Sequence, residues 1–213
     1  MRLDTPNRHR TLIHSLNLEL KWGERLLIIG ASGIGKSSLL RAIAGLWTSG
    51  SGVIERANIE DVYFLPQKPY CPLGTLKDQL LYPATSECDK EGSPAQKKAI
   101  DTKRLLEILR AVDLGDLAAR AGEGDELAVH EPKLVIVDEA TSAMDVAAEE
   151  KMYRLIQNMT VVSVGHRPTL LGYHTRRLHL KKTIGKDYCE CSMDDIRSTP
   201  QSVNNDEVNL FFR

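Results

Sequence analysis

The sequence predicts an α/β domain: a mostly parallel sheet flanked by helices, with a small antiparallel β part. Arg25-Leu26-Leu27-Ile28-Ile29, Leu134-Val135-Ile136-Val137 and Val161-Val162-Ser163-Val164 are nearly unbroken aliphatic runs, the pattern of strands covered on both faces. Between them lie stretches whose apolar residues recur at helical spacing, and strands alternating with helices point to a layered parallel architecture. A chain of 213 residues with 42% hydrophobic and 27% charged residues can bury a full core without disulfide or metal staples.

Taken in order, Leu16-Asn17-Leu18-Glu19-Leu20 alternates apolar and polar residues and reads as an antiparallel strand, closed by a turn at Trp22-Gly23-Glu24. Arg25 to Ile29 is a buried strand ending at Gly30. From Ser37, apolar residues at Leu39, Leu40, Ile43, Ala44, Leu46 and Trp47 mark an amphipathic helix that Gly50 and Gly52 end. Val62 to Leu65 reads as a strand, and Pro66 to Pro72 as irregular chain with three prolines. Residues 84 to 95 read as a polar loop, and Ala95 to Leu114 as a helix with Ile100, Leu105, Leu109 and Val112 along one side. Two further strands, Leu134–Val137 and Val161–Val164, flank a helix over Ala147 to Gln157. Beyond Leu180 the apolar density falls, so residues 183–213 are expected to form a weakly ordered tail, with the domain itself spanning 1–182.

Several classes are excluded. The 28 Lys+Arg against 29 Asp+Glu give a net charge of −1, so no global basic field argues for nucleic acid. The longest purely apolar runs are four residues, far short of the ~20 that cross a bilayer as a helix. The opening residues Met1 to Pro6 do not read as a secretory leader. Four cysteines at irregular spacing read as reduced thiols in a cytosol-like compartment rather than as a disulfide framework or metal site.

Gly30-Ala31-Ser32-Gly33-Ile34-Gly35-Lys36-Ser37, with Ser38 next, fits G-x-x-x-x-G-K-[ST] and sits between a predicted strand and a predicted helix, the context that a phosphate-binding loop requires. Its glycines let the backbone curl so that N–H groups face an anion at the positive end of the helix. The natural occupant is the triphosphate of ATP, with Lys36 reaching the β and γ phosphates and Ser37 offering a hydroxyl to Mg²⁺. The Leu134–Val137 strand ends in Asp138 and Glu139. In an open parallel sheet the carboxyl ends of strands face the ligand crevice, which places Asp138 near that Mg²⁺ and lets Glu139 orient or deprotonate an attacking water. The expected class is a P-loop NTPase.

More specific strings follow. Leu65-Pro66-Gln67-Lys68-Pro69-Tyr70 resembles the glutamine loop of ATP-binding-cassette (ABC) proteins. Asp138-Glu139-Ala140-Thr141-Ser142-Ala143-Met144-Asp145 resembles their Walker B and D-loop segment, and Val164-Gly165-His166-Arg167 their switch histidine. The four motifs stand in the family's order over roughly residues 10 to 180. The helix from Ser37 to Trp47 and Pro72-Leu73-Gly74-Thr75-Leu76 further resemble subfamily D, the peroxisomal fatty-acyl-type transporters with their bacterial and plastid relatives. The resemblance implies that Gln67 contacts Mg²⁺ and the attacking water, that His166 binds the γ-phosphate, and that Asp145 meets a second cassette in a head-to-tail dimer. It also implies a transmembrane partner domain, membrane association through that partner, and a cassette on the cytosolic or stromal side that couples ATP hydrolysis to transport.

The sequence departs from that family in two places. No Leu-Ser-Gly-Gly-Gln-type signature precedes the Walker B strand, and only eight residues separate Asp125 from Leu134, too few for a signature loop and its helix. The helical subdomain, about 77–131, is therefore expected to be shortened. Gly122-Glu123-Gly124 is small but acidic and would repel a triphosphate. This leaves a cassette that binds ATP with little or no hydrolysis as the alternative reading. Residues 1 to 21 also lack the aromatic on which these cassettes stack adenine.

Overall fold

The structure is a computed structural model and describes residues 1–68, 99–100, 107, 109–110, 127–128, 132–182, 185, 188–196 and 210–212. The expected loop at 84–95, the Gly122–Gly124 segment and most of the helical subdomain lie outside the described residues.

The N-terminal part runs through β1 (Arg2–Asp4), β2 (Thr11–Ile13), β3 (Leu18–Leu20) and β4 (Arg25–Gly30) to helix α1 (Lys36–Ile43). Then come β5 (Gly50–Ser51), β6 (Ile54–Glu55), β7 (Val62–Leu65), β8 (Ala99–Ile100) and β9 (Leu127–Ala128). The C-terminal part contains β10 (Leu134–Asp138), helix α2 (Val146–Leu155), β11 (Thr160–Val164), β12 (Arg176–Lys182), β13 (Cys189–Asp195) and β14 (Leu210–Phe212).

Nine strands form one sheet in the order β5-β1-β2-β13-β12-β4-β11-β10-β7. From β12 to β7 every neighbouring pair is parallel. Alternate residues of these strands serve opposite faces, as the pleat requires. Leu26, Ile28, Ile136, Val162 and Val164 pack with Leu39, Leu40 and Ile43 of α1. Leu27, Val135, Val137 and Val161 pack with Tyr153 of α2 and with Leu170 in the 3₁₀ segment Pro168–Tyr173. Both faces are covered, which is why these strands read as aliphatic runs rather than alternating ones. Antiparallel pairing joins β1 to β2 and β5, β12 to β13, β8 to β9, and the strands of a separate sheet β3-β14-β6.

Two expectations need correction. The C-terminal stretch is not weakly ordered at 189–195: β13 pairs antiparallel with β12 over seven residues, from Cys189↔Lys182 to Asp195↔Arg176. Cys189 lies in the main core, with Cys191 and Met193 packed against it. The outer positions are tied by ion pairs, Arg177–Asp194 at 2.9 Å and Arg176–Asp195 at 3.5 Å. Apolar density undercounts such a strand because only every second residue has to be apolar. Likewise, Ala99 and Ile100 pair antiparallel with Ala128 and Leu127 where a helix from Ala95 was expected. Non-local pairing overrides the helical pattern at its start only: further along the same stretch Glu107, Leu109 and Arg110 are helical, as expected.

Candidate nucleotide site

The parallel register gathers the predicted residues at one sheet edge. Val137 pairs with Leu65, Asp138 with Val164, and Val164 with Ile28. The segments that leave the carboxyl ends of β7, β10, β11 and β4 therefore emerge side by side. They carry Gln67, Glu139, His166 and the phosphate loop.

The loop is a cradle made by backbone conformation. Gly30, Gly33 and Gly35 have φ of 155°, 72° and 111°, values that an L side chain resists. At Gly30 a Cβ would also lie 2.6 Å from the Leu180 carbonyl oxygen, so the β12 backbone presses directly on the start of the loop. Gly35 caps α1 without a side-chain hydrogen bond, and no acidic residue stands in the first helical turn. The unpaired N–H groups of that turn are left for an anion. Ala31, Ser32 and Gly33 line the exposed rim, whereas Ile34 and Lys36 are buried.

Lys36 folds back over its own loop, donating to the carbonyls of Gly30 at 2.9 Å and Ala31 at 3.0 Å. Burial pulls its pKa below the ordinary lysine value, and the carboxylates of Glu139 and Asp138 oppose that shift. Ser37 donates its hydroxyl to Asp138 Oδ1 at 2.8 Å, across the intervening strand β11. A hydroxyl and a buried carboxylate held this close form a hard oxygen pair of the kind Mg²⁺ selects. The residues present fit both the anion and the cation of a metal–nucleotide complex.

Glu139 occupies the left-handed region at φ 51°, an uncommon place for a non-glycine residue and one that clusters at functional positions. Its N–H donates to the Val164 carbonyl at 3.1 Å. Its two carboxylate oxygens are both engaged: Gln67 Nε2 donates to Oε2 at 3.1 Å, and His166 Nε2 lies 3.0 Å from Oε1. Gln67, Glu139 and His166 thus form one cluster, although they lie far apart in sequence. Asp145 has a local task, accepting the Ala148 N–H at 2.7 Å as the N-cap of α2.

Sequence reasoning passed over three further residues around the site. Glu149 is fully buried and accepts from Thr169 Oγ1 at 2.5 Å and from Arg167 Nη1 at 3.3 Å. The signal was present: Glu149 is in step with Met152, Tyr153 and Ile156, a carboxylate on the apolar stripe of its helix. Cys189 donates its thiol to the Ile34 carbonyl at 3.3 Å, so β13 buttresses the phosphate loop from beneath. The residue before it, Tyr188, packs its ring 4.7 Å from that of His14.

Comparison with known proteins places these features in a family. The sequence profile described as ABC transporter matches residues 13–142. An uncharacterized ABC transporter ATP-binding protein of Synechocystis is 44% identical over 201 residues, covering 84% of this chain and 29% of that protein. The chloroplastic ABC transporter D family member 2 of Arabidopsis thaliana is 36% identical, with 84% and 33% covered. The human lysosomal cobalamin transporter ABCD4 is 35% identical, with 84% and 33% covered. The chain thus spans about a third of the length of these relatives. Among solved structures, a bacterial Atm1-family ABC exporter with ATP bound superposes with a TM-score of 0.62 over 84% of this chain and 36% of that one, at 18% identity, which supports the fold. Among the described residues no helix is long and apolar enough to cross a membrane. The chain belongs to the ABC transporter ATP-binding family and resembles its D-family members.

Proposed function

We propose that this chain is the nucleotide-binding cassette of a D-family-type transporter, which binds and hydrolyses ATP to drive substrate movement through a transmembrane partner on which it docks from the cytosolic or stromal side. The observation that carries this reading is the Ser37–Asp138 contact of 2.8 Å beside the glycine cradle, with Glu139 flanked by Gln67 and His166.

The residues have distinct tasks. Backbone N–H groups from Gly30 to Ser38 hold the triphosphate, and Lys36 exchanges its two loop carbonyls for β and γ oxygens. Ser37, Asp138 and Gln67 would hold Mg²⁺, which would supply positive charge to offset that of the triphosphate. Glu139 takes a proton from a water whose oxygen attacks the γ-phosphorus as the bond to the β–γ bridging oxygen breaks and ADP leaves. His166 donates toward the γ-phosphate and keeps that water in line. A second cassette, head-to-tail, supplies the signature that this sequence lacks.

A binding-only cassette is the second reading, favoured by the eight residues between Asp125 and Leu134 and by the acidic Gly122-Glu123-Gly124. Single-turnover hydrolysis of MgATP by the purified chain, alone and mixed with an intact D-family cassette, separates the two. Phosphate release that Glu139→Gln abolishes supports hydrolysis. Tight ATP binding without phosphate release in either arrangement refutes it in favour of the second reading.

A further inference from the structure

A closed ring of contacts joins the D-loop to the switch histidine. The Ser142 N–H donates to the Glu139 carbonyl at 3.0 Å, and the Ser142 carbonyl accepts from Arg167 Nη2 at 3.1 Å. Arg167 is covalently next to His166, and His166 Nε2 returns to Glu139 Oε1 at 3.0 Å. The second arm of the same guanidinium points to Glu149 Oε2 at 3.3 Å. Glu149 has no exposure, and its other oxygen accepts from Thr169. Glu149 is therefore pinned inside α2, and the planar fork of Arg167 spans from that anchor to the D-loop backbone, a geometry lysine cannot copy.

Only Glu149 of this pair is buried, whereas the Arg167 side chain is 34% exposed, and an ion pair with one solvent-screened partner adds little to the stability of a fold. The arrangement is better explained by what it holds. Glu139 sits in a strained backbone conformation at φ 51°, and such a residue keeps its place only when its surroundings over-determine it.

We propose that Arg167 and Glu149 are positioning residues: they lock the D-loop turn to the His166 segment and so fix the Glu139–His166 pair for hydrolysis. This rests on the hydrolytic reading given above, and the test separates the two. In the full chain, hydrogen exchange is measured at the Glu139–Met144 and Gly165–Thr169 amides for Arg167→Lys, Glu149→Gln and the double variant Glu149→Leu/Arg167→Met. The double variant leaves no buried unpaired charge and so keeps the fold. Nucleotide affinity and single-turnover rate with an intact D-family cassette are measured alongside.

The expected result is locally faster exchange in Arg167→Lys and in the double variant, with β4 and α1 unchanged. Nucleotide affinity stays the same while turnover falls about tenfold to a hundredfold, the scale of a misplaced reacting group. In Glu149→Gln the amide oxygen accepts from Arg167 and the amide nitrogen donates to the Thr169 hydroxyl, which can also accept, so this variant keeps wild-type behaviour. Unchanged exchange at Ser142 in the double variant overturns the proposal. So does faster exchange spread over the whole sheet, or faster local exchange with full turnover. If the wild type itself shows no turnover with the intact cassette, the hydrolytic reading fails, and the exchange data alone decide whether Arg167 and Glu149 hold the turn.

Discussion

Gly30→Ala probes the point where the sheet and the phosphate loop press on each other. The added Cβ would lie 2.6 Å from the Leu180 backbone oxygen, 3.2 Å from Leu180 Cβ and 3.3 Å from Ile34 Cγ2. The oxygen cannot retreat cheaply, because Leu180 is paired with Cys191 on one side and with Gly30 itself on the other. Overpacking of a rigid site costs about 1–3 kcal/mol, and holding alanine at φ 155° adds roughly 1–3 kcal/mol. The sum, about 2–6 kcal/mol, is a large part of the ~5–15 kcal/mol that holds a domain folded. Gly33→Ala is the control. Its φ is 72° and nothing lies within 4 Å of the added Cβ, so only the left-handed penalty of about 1–2 kcal/mol applies. Urea unfolding of both variants gives the comparison, with calorimetric ATP titration as the functional readout. Gly30→Ala should be the less stable by about 1–3 kcal/mol, the contact cost over and above the shared backbone strain. Equal midpoints for the two variants would refute the claim that β12 packs against the start of the cradle.

Other consequences follow from the same geometry. Lys36→Ala removes a buried ammonium that lies over the loop carbonyls. Losing charge-assisted hydrogen bonds worth about 1.5–3 kcal/mol should weaken ATP binding about tenfold to a hundredfold by calorimetry. Glu139→Gln keeps one acceptor and one donor in the cluster, so ATP affinity should stay within about twofold while single-turnover phosphate release is lost. His174 is fully buried, and burial pulls its pKa down to about 4 from 6.5. Between those values the unfolded chain binds a proton that the folded chain refuses, so stability is lost as pH falls through this window. Urea melts at pH 7.5 and pH 4.5 should show His174→Phe less acid-sensitive than wild type by about 2–3 kcal/mol. An equal acid response in both proteins would sink that assignment. Burial raises the thiol pKa of Cys191 to about 11 and also lifts that of Cys189. Peptide mapping after brief alkylation at pH 7.5 should therefore find both unmodified until denaturant is added.

The parallel half of the sheet was readable because burial on two faces leaves no ambiguity. Val62–Leu65, Leu134–Val137 and Val161–Val164 are aliphatic or aromatic at nearly every position, and each became a strand within a residue of its expected bounds. The antiparallel edge was harder. Arg2–Asp4, Thr11–Ile13 and Cys189–Asp195 are short or half-polar strands; although β1 with β2 and β12 with β13 are sequence neighbours, three residues or a run of alternate polar side chains give too little apolar periodicity to mark a strand. The site divides in the same way. Gly30 to Ser38, Asp138 and Glu139 announced themselves by spacing beside predicted elements. Gln67 and His166 became legible only through family resemblance, because a single glutamine or histidine after a strand carries no chemistry by itself.

Glu149 shows why the remainder stayed hidden. A glutamate near a helix start reads as a solvated dipole partner, yet here it has no exposure and faces Arg167 and Thr169. The property that reveals it is phase: Asp145 fixes where α2 begins, and from that start the fourth helical position points into the core with Tyr153. Capping therefore does more than end a helix. By setting the rotation of α2 it chooses which carboxylate is buried, and the buried one holds the arginine that ties Ser142 to the segment after β11. A shift of one residue in that cap would turn Glu149 toward solvent and leave Arg167 without its anchor. The turn at Ser142 is thus connected to the segment that carries His166 through a helix that contributes no residue to the Gln67–Glu139–His166 cluster.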